Sequence, residues 1–164
     1  MIYYNDGNTK CRDSIETDIK VIAQDMRQSD KDEIYASHHK EPLDALREGF
    51  NESILCFTVE HNNKPCIMFG VVPFNFLDNR GRIWMLATSE FRNCHRKFLK
   101  YGKIFLNYML EHYSELSNFI DVRNELSIRW LSWLGAEMGE AVPYGAEKLL
   151  FRPFLFRKEK NVNS

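Results

Sequence analysis

Four segments of the chain carry apolar residues at the spacing of an amphipathic helix. The predicted helices cover residues 14–28, 42–51, about 93–113 and 124–135. Ser14 is a good N-cap for the first helix, and Pro42 suits the first turn of the second. Asn124 can cap the fourth helix, which ends at Gly135, where a helix C-cap favours positive φ. The polar segment between the first two helices shows no clear period, so its structure stays open.

Runs rich in β-branched and aromatic residues predict the strands. The predicted strands cover residues 9–12, 54–60, 64–72, 82–88, 118–122, 136–142 and 148–156. Asn62 and Asn63 tolerate positive φ and predict a tight hairpin turn between the second and third strands. This turn pairs Val59 with Cys66. Cys56 and Cys66 are then not opposite each other, which argues against a disulfide between them.

The order of these elements predicts the fold class. An antiparallel meander is followed by a helix and then by a strand that can lie parallel through a right-handed crossover. We therefore expect an α+β fold, in which helices flank both faces of a mixed, mostly antiparallel central sheet. One domain would span residues 1–164, with its core at about 10–156. Residues 1–7 are expected to be loose, and residues 158–164 to form a frayed tail.

Composition and charge narrow the class of protein. The chain has 164 residues, of which 44% are hydrophobic and 27% charged, which is typical of a globular protein and not of a disordered or membrane chain. The net charge of −1 argues against nucleic-acid binding. Four cysteines without metal-site spacing predict reduced thiols and no metal site. With no apolar signal segment and no spanning segment, we expect a soluble, cytoplasmic protein of undetermined oligomeric state.

The segment NELSIRWLSWLGA at residues 124–136 resembles the signature of the GCN5-related N-acetyltransferases (GNAT). In that signature an Asn closes the fifth strand and a helix then runs to a Leu-Gly pair. The element order is similar to the GNAT fold over residues 10–156. Four stretches, MRQSDKDEIYAS, MFGVVP, RIWMLAT and FIDVRNELSIRWLSWLGAEMGEAVPYG, resemble a phage-encoded branch. Some members of that branch are labelled internal virion proteins.

The resemblance implies an acetyl-CoA site where the fourth and fifth GNAT strands splay apart. Its pyrophosphate would bind the amides that begin the following helix, in a loop of the form Arg/Gln-x-x-Gly-x-Gly/Ala. Arg92 matches the first position of that loop, whereas His95 and Lys97 occupy the positions of its small residues. The resemblance implies these cofactor-binding residues: Leu86, Thr88, Arg92, Asn93, His95, Arg96, Lys97, Asn124 and Ser127.

Basic residues crowd the first turns of the predicted helix at 93–113. Cations there oppose the helix dipole at about 0.3–1 kcal/mol each, and a bound anion would reverse that sign. The phosphates of CoA, nucleic-acid phosphate, an acidic partner surface and a solvated basic turn all stay open as explanations.

The expected catalytic residues are Glu33, Asn124 and Tyr144. Leu131 stands where GNAT enzymes often carry a Tyr acid, so Tyr144 is the alternative acid, unless it only packs on the sheet. Asn124 would bind pantetheine, cap its helix, or both. The base would be Glu33, with three further candidates: His38, His39 and Asp121.

Two functions remain open from the sequence. The first is acetyl transfer from acetyl-CoA to an amine, of a small molecule or a protein, by direct attack on the thioester. The second is a GNAT-like phage protein that has lost catalysis and binds a virion or host protein.

Overall fold

The computed structural model describes residues 1–158, in which five helices flank a sheet of nine strands. The strands are β1 (Ile2–Asp6), β2 (Thr9–Asp13), β3 (Leu55–His61), β4 (Lys64–Pro73), β5 (Arg80–Ala87), β6 (Glu115–Asp121), β7 (Glu137–Met138), β8 (Val142–Tyr144) and β9 (Leu149–Arg157). The helices are α1 (Glu16–Gln24), α2 (Gln28–His38), α3 (Pro42–Glu52), α4 (Phe91–His112) and α5 (Glu125–Trp133).

The strands form one mixed sheet in the order β1-β2-β3-β4-β5-β6-β9-β7, and β8 also pairs with β9. Only β5 and β6 pair in parallel among the described strands, because α4 carries the chain between them as a crossover. One core packs α4 and α5 on one face of the sheet, and a second packs α1 and α3 on the other. The predicted α+β fold, with helices on both faces, is confirmed.

The start of the first helix differs from its prediction. Ser14 does not cap α1, because its hydroxyl pairs with the Thr58 hydroxyl at 2.8 Å. The carboxylate of Asp18 instead accepts the Ile15 N–H at 3.0 Å, just before the helix. The helix predicted over residues 14–28 also ends earlier, and the polar segment after it folds as the separate helix α2.

The N-terminal residues form strand β1, where a loose segment was expected. Tyr4 on this strand stacks on Tyr101 of α4, with ring centroids 4.0 Å apart. This stacking buries aromatic surface of both rings, so the segment is held on α4 despite its polar residues. At the other end, Lys158 N–H donates to the Ser114 carbonyl at 3.3 Å. The remainder of the predicted tail, 159–164, lies outside the described residues.

The hairpin between β3 and β4 is confirmed, with Asn62 and Asn63 at φ 52° and 60°. Its predicted register is wrong by one residue, because a shift at Val59 places that residue opposite Ile67. Cys56 lies opposite Gly70 and not opposite Cys66, as predicted, and all four cysteines are free thiols.

Candidate functional site

The parallel pair β5 and β6 separates soon after it forms. The two strands pair only from Arg80 and Glu115 to Arg82 and Ser117. Thr88 N–H donates to the Cys66 carbonyl of β4 at 2.8 Å. Because backbone groups alternate in direction along a strand, every second residue of β5 beyond Arg82 turns its N–H and C=O away from β4 and towards β6. A gap therefore opens between two strands at the centre of the sheet.

Side chains of α2 hold the wide end of this gap. The Asp30 carboxylate accepts the Ala87 N–H of β5 at 2.8 Å. The Glu33 carboxylate accepts the Asp121 N–H of β6 at 3.1 Å. Between these contacts and the paired end of β5, the N–H and C=O of Met85 face the gap. The gap thus offers a ligand one backbone donor from β5.

A pocket of about 230 Å³ runs through the gap and reaches both faces of the sheet. On one side it is lined by α2, α3 and Trp84, including Glu48 and Gly49. On the other side its walls are α4 and α5, with Phe98 and Leu131 among them. Residues from both faces of the sheet therefore line the pocket together with Glu33 and Met85.

Among the residues that the structure describes, Glu33 is the carboxyl group of this pocket without a salt bridge. Burial raises its pKa to about 7, and the nearby carboxylates of Asp30 and Asp121 add to this effect. Hydrogen bonds from Asp121 N–H and Asn124 act in the opposite direction. Each of its two acidic neighbours forms a salt bridge with an arginine. Arg27 contacts Asp30 at 2.7 Å, and Arg123 contacts Asp121 at 2.6 Å. Near neutral pH, Glu33 can therefore both lose and accept a proton.

Arg27 connects the wide end of the gap to the start of α4. Its guanidinium forms two hydrogen bonds with Asp30, at 3.2 and 2.7 Å. It also lies over the ring of Phe91, the first residue of α4, at 4.5 Å from the ring centroid. Arg27 thereby joins the first residue of α4 to Asp30 on α2.

Asn124 makes two side-chain contacts at the start of α5. Its side-chain oxygen accepts the Ser127 N–H at 3.3 Å, so its prediction as the N-cap of α5 is confirmed. Its amide nitrogen lies 3.4 Å from the Glu33 carboxylate. Its predicted contact with pantetheine stays a prediction, as does that of Ser127, which is buried at the same helix end.

The predicted phosphate loop lies at the start of α4. Arg92 and Arg96 are exposed, and the first turn contains no acidic residue. His95 folds back, with Nδ1 donating to the Arg92 carbonyl at 2.8 Å. Lys97 turns away to the β1–β2 turn, where it donates to the Asp6 carbonyl at 2.6 Å. The side chains of His95 and Lys97 are therefore both held away from the first amides of α4.

The remaining predicted cofactor residues have partners within the protein. The Asn93 side chain donates to Glu90 at 3.0 Å, just before α4. The Leu86 side chain packs in the core under α1 and α3, although it also lines the pocket. Thr88 is buried, and its amide is bound to β4. On β5, the backbone of Met85 is therefore better placed to meet a ligand than that of Leu86 or Thr88.

Tyr144 lies on the wall of the pocket and is packed by other aromatic rings. It stacks on Phe119 of β6, with centroids 3.9 Å apart, and meets the edge of Phe151 at 5.2 Å. The turn after Tyr144 is anchored on α2, where Ala146 N–H donates to the Ser37 carbonyl at 2.9 Å. Tyr144 therefore both packs on the sheet and lines the pocket.

The other base candidates are less suited to this site. His38 lines the pocket, and burial holds its pKa below the usual value. His39 instead pairs with Glu147 on the β8–β9 turn. Leu131, at the position of the usual Tyr, is buried and has no proton to give. Across residues 1–158, no group of three His, Cys, Asp or Glu side chains converges as a metal site would need.

No model of a known protein family matches the sequence, and no curated protein matches it. Solved structures do match. A GNAT-family acetyltransferase from Bacillus anthracis aligns with a TM-score of 0.68 and 10% identity, over 96% of this chain and 98% of that one. The ribosomal-protein-S5-alanine acetyltransferase from Vibrio fischeri gives 0.67 and 17%, over 96% of each chain. Spermidine N-acetyltransferase from Vibrio cholerae, in complex with CoA and spermine, gives 0.61 and 15%, over 96% of this chain and all of that one.

These similarities identify the fold: the chain has the architecture of the GCN5-related N-acetyltransferases. No helix within the described part of the chain is long and apolar enough to cross a membrane. Sequence reasoning missed Met85 and Arg27, because a backbone N–H leaves no residue-type signal and the arginine was predicted only as a residue near the end of the first helix.

Proposed function

We propose that the protein is an acetyl-CoA-dependent N-acetyltransferase. The observation that carries this proposal is the position of Glu33, a carboxyl without a cation partner among the described residues, beside an open gap between two parallel strands. Its pKa of about 7 suits a general base at neutral pH. The acceptor would be an amine of a small molecule or of a protein.

The residues around the gap fit acetyl-CoA. When bound, it supplies an acyl thioester whose carbonyl an amine can attack. The Met85 N–H faces the gap, where it would polarise that carbonyl. Arg92 and Arg96, exposed at the start of α4, would bind the phosphates together with the first amides of the helix. Asn124 would contact the pantetheine from the start of α5.

The phosphate end carries two residues larger than those of the usual loop. The side chain of His95 is held against its own helix, and that of Lys97 is held by the β1–β2 turn. Both contacts keep these side chains from lying over the first amides of α4. This supports assigning His95, Lys97 and Asn93 to the phosphate site despite the departure from the family pattern.

Glu33 would take the proton from the acceptor amine. An ammonium group must lose its proton before nitrogen can attack, and Glu33 lies on the wall where the two halves of the pocket meet. Tyr144 is proposed as the acid that protonates the leaving thiolate. It lines the same pocket, and stacking on Phe119 fixes its ring.

A second candidate function is a GNAT-fold protein without catalysis, from the phage-encoded branch, that binds a virion or host protein. The buried Leu131 at the position of the usual Tyr favours it. Both candidates place the protein in the cytoplasm, that of the host if the chain is phage-encoded, and the second also allows a place in the virion. Both also take residues 1–164 as a single domain.

Calorimetric titration with acetyl-CoA, paired with thermal unfolding, separates the candidates. Under the first proposal, acetyl-CoA binds with micromolar affinity and raises the melting temperature, because a ligand of the native state stabilises it. Arg92→Glu and Asn124→Ala then weaken binding. No binding at millimolar acetyl-CoA would reject the enzyme proposal and leave the binding protein, for which these two variants change only stability or partner binding.

A further inference from the structure

The ladder between β5 and β6 ends at a side chain. Asn118 Nδ2 donates to the Ile83 carbonyl of β5 at 2.8 Å. The N–H of Phe119, the next residue on β6, donates to Asn118 Oδ1, also at 2.8 Å. In a continuous parallel ladder, the next rung would join Phe119 N–H directly to the Ile83 carbonyl. The carboxamide of Asn118 is therefore inserted between the two groups of one rung.

This insertion separates the strands without leaving a polar group unpaired. Two hydrogen bonds and an amide group now stand where one hydrogen bond would have closed the ladder. Because Phe119 N–H and the Ile83 carbonyl both keep a partner, ending the ladder carries no penalty for an unsatisfied backbone group. A closed rung would bring the next backbone groups of β5, those of Met85, into pairing with β6.

The other possible causes of the gap are weaker. The register between β4 and β5 runs without a shift from Ile67 and Ala87 to Pro73 and Gly81, so no bulge bends β5 away from β6. The α2 carboxylates Asp30 and Glu33 occupy backbone groups only at the wide end. Asn118 alone, among the described residues, acts where the gap begins.

We propose that Asn118 is a positioning residue that holds β5 and β6 apart and thereby keeps the Met85 N–H open to a ligand. The identity of that ligand as acetyl-CoA rests on the proposed function, whereas the separation of the strands does not. An amide suits this position because it both donates and accepts. Aspartate cannot donate to the Ile83 carbonyl, and valine can neither donate nor accept.

Backbone hydrogen exchange of the free protein, followed residue by residue by NMR, tests whether Asn118 holds the two strands apart. In Asn118→Val the ladder closes, and exchange at Met85 N–H slows roughly tenfold as it gains a strand partner. The matched control is Ser117→Val, which adds the same β-branched residue to β6 but keeps the carboxamide. It leaves Met85 exchange unchanged. Asn118→Asp keeps the strands apart by repulsion from the Ile83 carbonyl, so Met85 exchange stays fast.

Asn118→Ser is the second variant if valine prevents folding, since a serine hydroxyl is too short to bridge both groups. Unchanged Met85 exchange in a folded Asn118→Val or Asn118→Ser protein would overturn the proposal. Titration with acetyl-CoA then tests its functional part. Affinity falls roughly tenfold in the closed variants and is retained in Ser117→Val. If Met85 exchange slows in these variants but the wild-type protein binds no acetyl-CoA, the positioning role of Asn118 is confirmed and the proposed function is rejected.

Discussion

Replacing Glu33 by glutamine should change how the stability of the protein depends on pH. The pKa of this carboxyl rises from its ordinary 4.5 to about 7 in the folded protein. The folded state therefore binds a proton more tightly than the unfolded state between these two values. The free energy of unfolding falls as pH rises through that window. The full effect, reached above about pH 7, is on the order of 3 kcal/mol.

Glu33→Gln removes this titration, so its stability should rise relative to wild type by about 3 kcal/mol between pH 4 and pH 8. Urea denaturation followed by tryptophan fluorescence at several pH values measures the difference. The matched control is Glu111→Gln, an exposed carboxyl on α4, which should follow the wild-type curve. Parallel curves for wild type and Glu33→Gln would refute both the raised pKa and the assignment of Glu33 as a base tuned to neutral pH.

Four further substitutions test the site and its packing. Arg92→Glu should weaken acetyl-CoA binding by calorimetry roughly tenfold or more, whereas the same charge change at Lys20 on α1 should not. Tyr144→Phe should lower the rate of thiol release without changing acetyl-CoA affinity, because the stacked ring remains; an unchanged rate would exclude Tyr144 as the acid. Gly49→Ala should lower the free energy of unfolding by about 1–3 kcal/mol, because its Cβ would lie 2.7 Å from an indole ring. Gly102→Ala, 3.6 Å from its nearest neighbour, should be stabilising by roughly 0.5–1 kcal/mol.

Local sequence patterns predicted the fold class well. The hairpin at Asn62 and Asn63, the Asn124 cap and the positive φ of Gly135 all depend on contacts within a few residues. The predictions failed where partners come from far along the chain. Ser14 has its hydroxyl partner on β3, and β1 is ordered by the stacking of Tyr4 on α4. Such contacts compete with local propensity and leave no periodic signal.

The residues of the candidate site show the same difference between local patterns and distant contacts. Glu33 was predicted as the base, and the structure places its carboxylate against β6; its role stays a prediction. Asn118 was predicted only as a strand residue, because its side chain acts on a backbone carbonyl of another strand. The same holds for Met85, whose contribution is its main-chain N–H.

The sequence alone predicted most of the helices and strands, α2 and β1 excepted, because periodicity, caps and turn residues act over one or two turns of chain. It also supplied the acidic, basic and aromatic residues from which a site could be built. Tertiary structure decided the register of the strands, the opening between β5 and β6 and the raised pKa of Glu33. Those properties depend on which groups meet across the sheet and on how much water reaches them, and both are set only when distant segments pack together.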